Sequence, residues 1–260
     1  MAIYTEVAGE GPALALVHEG ICDSRMWDGQ WESYARRFRV LRGDLRGFGR
    51  TPLEAGRYSN ARDLIEALEL HGFERVALVG VSLGGRVVLE VGLARPDLVR
   101  ALVLVAPGLP GHDWSKETVA GWAEEEAALE SGDLDAAVEV NLRMWVDGPR
   151  RGPDEVDPEV RARVGEMQRR ALELQVPVGD GAEEELLVPD LAERLGEIGV
   201  PTLVLVGEED LPDMHAISDR LTREIPGARQ ATIAATAHVP SMERPAEFDE
   251  LVLGFLEEAA

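Results

Sequence analysis

Across 260 residues the chain carries 49 acidic against 26 basic side chains, a formal net charge of −23. Such a surface repels phosphate backbones and anionic lipid, so neither nucleic acid nor a membrane is an expected partner. The length suits one large core or a core with a modest insertion, and no apolar run reaches the length of a membrane span.

The first six residues, Met1 to Glu6, have neither the basic nor the apolar segment of a secretory leader. Cys22 is the only cysteine, so no intrachain disulfide can form. A reducing, cytoplasmic home is the expectation.

Tyr4 to Val7 and Ala13 to Val17 read as strands around a Gly9-Glu10-Gly11-Pro12 turn. Met26 to Phe38 has helical spacing, with Trp27, Trp31 and Tyr34 on one face. A strand starts at Arg39 and runs into the glycine-punctuated loop Asp44 to Thr51. Ser59 to Leu70 reads as a helix capped by Ser59 or Asn60. Val76 to Val81 is a short apolar run of strand length, and Arg86 to Ala94 continues as a buried helix stopped at Arg95-Pro96. Leu98 to Val105 is almost wholly apolar, as in a strand covered on both faces.

The rhythm then changes. From Ser115 to about Ile198 no convincing strand is found; helices are expected over 115–131, 133–146, 158–175 and 188–198. A strand returns over 201–207. A helix is expected over about 213–224, a weak strand over 228–233 and a last helix over about 245–258. Alternating strands and helices imply a doubly wound, mostly parallel α/β sheet. The all-helical block reads as an inserted cap. The expected division is a core over 1–111, a helical cap over 112–198 and the rest of the core over 199–260.

Between the apolar run and the buried helix stands Gly80-Val81-Ser82-Leu83-Gly84. Strand, sharp turn, helix is the setting that a G-x-S-x-G nucleophile needs. The turn admits only small neighbours, and the N–H of Leu83 at the helix start can point at a developing oxyanion. A serine nucleophile needs a base, and the base an orienting acid. Of five histidines, His238 lies in a loop after the last expected strand, where the catalytic groups of such sheets gather. His18, His71, His112 and His215 lack that placement or the partners. Asp210, on the loop after the preceding strand, is the chosen acid, with Asp213 second. The order Ser82, Asp210, His238 matches this architecture.

Other motifs are incomplete. His18-Glu19-Gly20-Ile21-Cys22 lacks the second histidine of a zinc helix, and Gly47-Phe48-Gly49 lacks the third glycine of a dinucleotide loop. Neither a metal nor another cofactor is expected. Cys22 reads as a small packing residue. Trp114, Trp122 and Trp145 read equally as cap packing or as the wall of an apolar pocket.

Taken together, His18-Glu19-Gly20, Asp44 to Thr51, Gly80 to Gly85, Val206 to Asp210 and His238 resemble an α/β-hydrolase with a helical cap. The resemblance spans essentially the whole chain. It is closest to small bacterial esterases, 3-oxoadipate enol-lactonases and cofactor-free haloperoxidases. It implies an oxyanion hole formed by the N–H groups of Leu83 and Gly20. It implies a serine hydrolase acting on a small carboxylic ester or lactone. Perhydrolysis, C–C bond hydrolysis or a lyase step on the same residues is the alternative; a ligand-binding protein with little turnover is another. Three positions depart from the usual pattern: Glu19 close to the oxyanion site, Gly43 before the Asp44 loop, and Ala234-Ala235-Thr236 before the histidine. The expected pocket wall comprises Glu19, Ile21 and Met26 from the core, with Trp114, Trp122, Met144 and Trp145 from the insertion. A neutral small-molecule substrate is the expected partner.

Overall fold

The computed structural model describes residues 2–259. Nine strands follow in chain order among them: β1 (Tyr4–Ala8), β2 (Ala13–Val17), β3 (Arg39–Asp44), β4 (Gly56–Tyr58), β5 (Val76–Val81), β6 (Val99–Val105), β7 (Ala182–Glu184), β8 (Thr202–Gly207) and β9 (Arg229–Ile233). Seven form one sheet in the order β1-β3-β2-β5-β6-β8-β9. Only β1 runs antiparallel to its neighbour; the others are parallel. The C-terminal ends of β2, β3, β5, β6, β8 and β9 therefore share one edge, where the loops that carry chemistry emerge.

The helices are α1 (Asp28–Ala35), α2 (Asn60–Leu70), α3 (Leu83–Ala94), α4 (Lys116–Glu130), α5 (Leu134–Asn141), α6 (Pro158–Gln175), α7 (Pro212–Glu224), α8 (Pro240–Glu243) and α9 (Pro245–Glu258). Successive strand residues bury on opposite faces. Leu78, Leu102 and Val204 pack with Leu64 and Leu68 of α2, Val88 of α3 and Ile217 of α7. Val79, Val103 and Leu205 pack with Trp27, Tyr34 of α1 and Phe248 of α9. This period-two division is what lets β5, and β8 after Thr202, be continuously apolar. Side-chain caps start the helices where the sequence offers them: Ser59 accepts from the Arg62 N–H, Ser115 from Thr118 and Asp133 from Ala136. Gly43 also has a local cause. A Cβ there would stand 2.6 Å from the carbonyl oxygen of Tyr4 across the β1–β3 pair.

The expected elements are formed with four differences, the first being that the helix expected over 133–146 is α5 only to Asn141 and continues as a π-helical turn over Leu142–Asp147. The helix expected from Met26 opens as a 3-10 turn over Ser24–Trp27 and ends at Ala35. The segment 188–198 is not a helix but two 3-10 turns, Leu191–Glu193 and Leu195–Glu197. Pro189 near its start and Gly196 within it disfavour a continuous helix over 188–198, although Leu191, Leu195 and Ile198 are all buried as the spacing implies. The block 115–198 does contain a strand. β7 pairs in parallel with β4, setting Tyr58 beside Glu184. α4, α5 and α6 stand between β6 and β8 in the chain. No helix among the described residues is long and apolar enough to cross a membrane.

Candidate active site

β5 delivers Ser82 into a backbone conformation that L-residues seldom adopt, φ 50° and ψ −110°. The turn is held on both sides. The Ser82 N–H donates to Val105 O at 2.9 Å, and its carbonyl accepts from the N–H groups of Arg86 and Gly108, each at 3.0 Å. The flanking glycines are steric necessities. A Cβ on Gly80 would stand 2.3 Å from Gly84 O, and one on Gly84 would stand 2.5 Å from His18 O. α3 starts at Leu83. Neither the Leu83 N–H nor the Gly20 N–H donates a hydrogen bond among the described residues. The two loops are close, since a Cβ on Gly20 would lie 3.8 Å from Leu83 Cβ.

At the same sheet edge, the loops after β8 and β9 bring Asp210 and His238 together. His238 Nδ1 donates to Asp210 Oδ2 at 2.8 Å, and Asp210 Oδ1 accepts from the Leu211 N–H at 2.8 Å. Both residues are 1% exposed. The His238 ring lies 4.6 Å from that of Trp145, whose carbonyl accepts the His238 backbone N–H at 3.1 Å. Nε2 of His238 has no hydrogen-bond partner, so it is not bonded to Ser82 in this structure. Burial works against the imidazolium; the charges of Asp210 and Glu19 and the Asp210 hydrogen bond outweigh it and raise the His238 pKa. Asp213 is engaged elsewhere. It accepts from Ser115 N–H and Oγ, Thr118 Oγ1 and His112 Nε2 at the start of α4. The turn before the histidine is made by Ala235 at φ 55°, with its carbonyl held by Arg151.

Glu19 stands on the other side of the imidazole. Its Oε2 is 3.7 Å from His238 Nε2, and its Oε1 accepts from Cys22 Sγ at 3.0 Å. Burial pushes the Glu19 carboxyl up to about 7, against the opposing pull of His238 and Cys22. The Cys22 thiol is pushed well above its ordinary value by burial and by Glu19, which leaves it a poor nucleophile. His18 is fixed at both nitrogens: Nδ1 donates to Glu19 O at 2.7 Å, and Nε2 accepts the Leu45 N–H at 2.9 Å. It therefore shapes the Glu19–Gly20 loop. No cluster among the described residues has the makings of a metal site.

The remaining residues expected to line a pocket are dispersed. Ile21 and Met26 are buried with Trp27, and Met26 faces a separate groove near Val160 and Met242. Trp114 packs edge-on between His112 and Trp122, each ring pair 5.0 Å apart. Met144 fills the space over Gly121 of α4. A cavity of about 380 Å³ instead opens beside Leu83, with Phe48, Leu53, Leu129 and Leu172 as apolar lining. Arg46, Tyr58, Asn60, Gln175 and Glu184 form its polar lining. This polar set is not legible in the sequence, because Tyr58 and Glu184 are brought together only by the short β4–β7 pairing.

A serine on a strained strand–helix turn, with a histidine–carboxylate pair on later loops of the same parallel edge, defines a hydrolase of the α/β class. The chain belongs to the alpha/beta hydrolase fold family, whose model matches residues 14–245. It is an enzyme of that family. It is 27% identical over 265 residues to the pimeloyl-[acyl-carrier protein] methyl ester esterase of Aeromonas hydrophila, covering 98% of this chain and all of that one. It is 29% identical to a putative carbamate hydrolase of Azorhizobium caulinodans, covering 97% and 94%. The enol-lactonase of Burkholderia xenovorans shares the fold, with a TM-score of 0.80 and 22% identity over 98% of this chain and 95% of that one.

Proposed function

We propose that the protein is a serine hydrolase of small carboxylic esters or lactones, with Ser82, His238 and Asp210 as catalytic triad. The observation that carries this reading is the buried 2.8 Å bond between His238 Nδ1 and Asp210. It fixes the tautomer whose Nε2 is a base, at the sheet edge where Ser82 is presented. In the reaction His238 takes the Ser82 proton as Oγ attacks the carbonyl carbon. The N–H groups of Leu83 and Gly20 hold the tetrahedral oxyanion. Collapse expels the alcohol, which takes the proton from His238, and leaves an acyl-enzyme. Water, deprotonated by His238, releases the acid. The relatives named esterase and hydrolase support the ester class.

The helices α4 to α6 form the cap in this reading, within the division 1–111, 112–198 and 199–260. Trp145 closes over His238, and the cavity beside Leu83 receives the acyl chain. Glu19 favours a second reading, in which the same triad serves a reaction with one more proton transfer, such as C–C hydrolysis or a lyase step. The test is a fluorophosphonate label followed by peptide mapping. Labelling of Ser82, lost in Ser82→Ala and accompanied by p-nitrophenyl ester turnover, is expected. A protein that binds ester analogues yet neither labels nor turns over is a binder, and the hydrolase reading fails.

A further inference from the structure

Two adjacent arginines have opposite surroundings. Arg150 is exposed and pairs with Glu209 at the surface. Arg151 is turned inward, with its side chain 10% exposed. Its guanidinium donates in two directions. Nε donates to Asp147 O at 2.9 Å and Nη2 to Val146 O at 2.7 Å. Nη1 donates to Ala235 O at 3.0 Å and to Glu243 Oε2 at 2.7 Å. The first two acceptors end the π-helical turn Leu142–Asp147, where helix carbonyls need outside donors. That turn carries Trp145. Arg161 of α6 grips it as well, through both oxygens of Asp147 at 2.9 and 3.1 Å.

The other two acceptors belong to the histidine loop. Ala235 is the residue at φ 55°, and Glu243 of α8 accepts the Ala237 N–H at 2.9 Å through its second oxygen. Residues 235 and 237 therefore both hang on the Arg151–Glu243 pair, immediately before His238. The turn and the loop also touch directly. The His238 N–H donates to Trp145 O at 3.1 Å, and the two rings lie 4.6 Å apart. A Cβ on Gly148 would collide with Glu209 O and lie 3.1 Å from Ala237 Cβ. The His238 ring itself is located by one hydrogen bond, from Nδ1 to Asp210, while Nε2 has none. The aim of Nε2 thus depends on where the backbone at 238 is placed. A planar fork can hold carbonyls on two segments at once, which the compact ammonium of a lysine cannot.

We propose that Arg151 is a positioning residue: by clasping the Trp145 turn to the His238 loop, it fixes the direction in which the imidazole presents Nε2. This role rests on the reading of His238 as the base of Ser82. Because α6 holds the same turn through Arg161, the clasp also makes the setting of the base depend on the seating of the inserted helices.

One proton reports this geometry without any turnover. The Nδ1 proton that His238 shares with Asp210 should give a far-downfield proton NMR resonance, identified by its absence in His238→Ala. In Arg151→Ala that resonance should shift or broaden away. On p-nitrophenyl acetate kcat should fall about 10- to 100-fold, the cost of a misplaced catalytic group, with little change in KM. Arg151→Lys should lie between the parent and the alanine protein in both readouts, since it keeps the charge beside Glu243 but not the fork. Thermal melts show whether each protein is folded, and the lysine variant serves if the alanine variant is not. A folded variant that melts lower yet keeps the resonance and kcat makes Arg151 a structural tie only and overturns the positioning role. So does a fall in kcat with the resonance unmoved, or a parent protein that lacks the resonance. Turnover by the parent is read separately. If the parent shows no Ser82-dependent turnover, the hydrolase reading fails, and the resonance alone still decides whether Arg151 sets the imidazole.

Discussion

The Glu19 carboxylate lies 3.7 Å from Nε2 of His238, the nitrogen that a serine base must offer to Ser82. The imidazole thus stands between two buried carboxylates, Asp210 on Nδ1 and Glu19 toward Nε2. Both favour the imidazolium, which cannot act as base. Against burial, they raise the His238 pKa. The acid limb of kcat/KM should therefore fall above the ordinary histidine value of about 6.5. Glu19→Gln removes one of the two charges that raise the His238 pKa, so the limb should move toward acid. At alkaline pH the same change should raise kcat on a simple ester, because an ionised Glu19 opposes the oxyanion. A pH–rate profile of both proteins on p-nitrophenyl acetate decides this. Loss of activity in a folded Glu19→Gln protein would instead make Glu19 a working acid or base.

The same carboxyl predicts a pH dependence of stability. The folded Glu19 keeps its proton up to about 7, whereas the unfolded chain loses it in the ordinary carboxylate range. Between those values the folded state binds more protons, so the Glu19 contribution is full below the unfolded pKa and is lost as pH rises through about 7. The loss is on the order of 3 kcal/mol for a shift of this size. His238, raised as well, also loses its contribution with rising pH. Glu19→Gln should be more stable than the parent at pH 8, by several degrees in melting midpoint, with the gain shrinking toward pH 5. Parallel stability curves from pH 5 to 8 would show that Glu19 does not titrate in the fold.

Much of the architecture is legible because steric rules write themselves into the sequence. Gly80 and Gly84 are glycines because Gly84 O and His18 O occupy the space of a side chain, so the pattern around Ser82 carries a shape. β5 and β8 are legible because burial on both faces demands continuous apolar runs. The β4–β7 pair is not. Gly56-Arg57-Tyr58 and Ala182-Glu183-Glu184 are polar, short and far apart in the chain, and neither shows a strand period. In the segment 188–198 the spacing of Leu191, Leu195 and Ile198 identifies the buried side, yet helical and 3-10 turns both satisfy it over so short a span. Glu19 was visible as a departure; its approach to His238 depends on the turn that His18 fixes with both ring nitrogens.

Asp210 and Asp213 should separate cleanly by mutation. Asp210 holds the imidazole, so Asp210→Asn should reduce kcat by about 10³- to 10⁴-fold. Ser82→Ala and His238→Ala should reduce it by about 10⁴- to 10⁶-fold. Asp213 ties the start of α4 to α7. Burial works to raise its pKa, but hydrogen bonds from Thr118, Ser115 and His112 outweigh that and hold it at about 2. Its contribution is present above the ordinary aspartate value and lost as pH falls through about 2. Asp213→Ala should destabilise by about 1–3 kcal/mol, with activity reduced less than tenfold. Near-silent Asp210→Asn beside an inactive, folded Asp213→Asn would assign the acid to Asp213.

Chain-length preference tests which space receives the acyl group. Leu129 and Leu172 reach the cavity beside Leu83 from α4 and α6, and Phe48 reaches it from the loop after β3. Each methylene that leaves water there should favour binding by up to about 0.8 kcal/mol until the cavity is full. For p-nitrophenyl esters, kcat/KM should rise from acetate through butyrate to hexanoate and then level. Leu129→Trp adds bulk at the cavity wall without touching Ser82, Asp210 or His238, so it should shorten the preferred chain. Rates on acetate should fall far less than rates on hexanoate. Met26 lines a different groove, near Val160 and Met242. If Met26→Trp shortened the preference and Leu129→Trp did not, the acyl chain would lie in that groove. A carboxylate-bearing lactone completes the panel. The chain's net charge of −23 should make it a poorer substrate than a neutral ester of equal size. Faster kcat/KM on the anionic lactone, with no gain from acetate to butyrate, would reject the apolar cavity as the acyl site and place the enzyme with the lactonases.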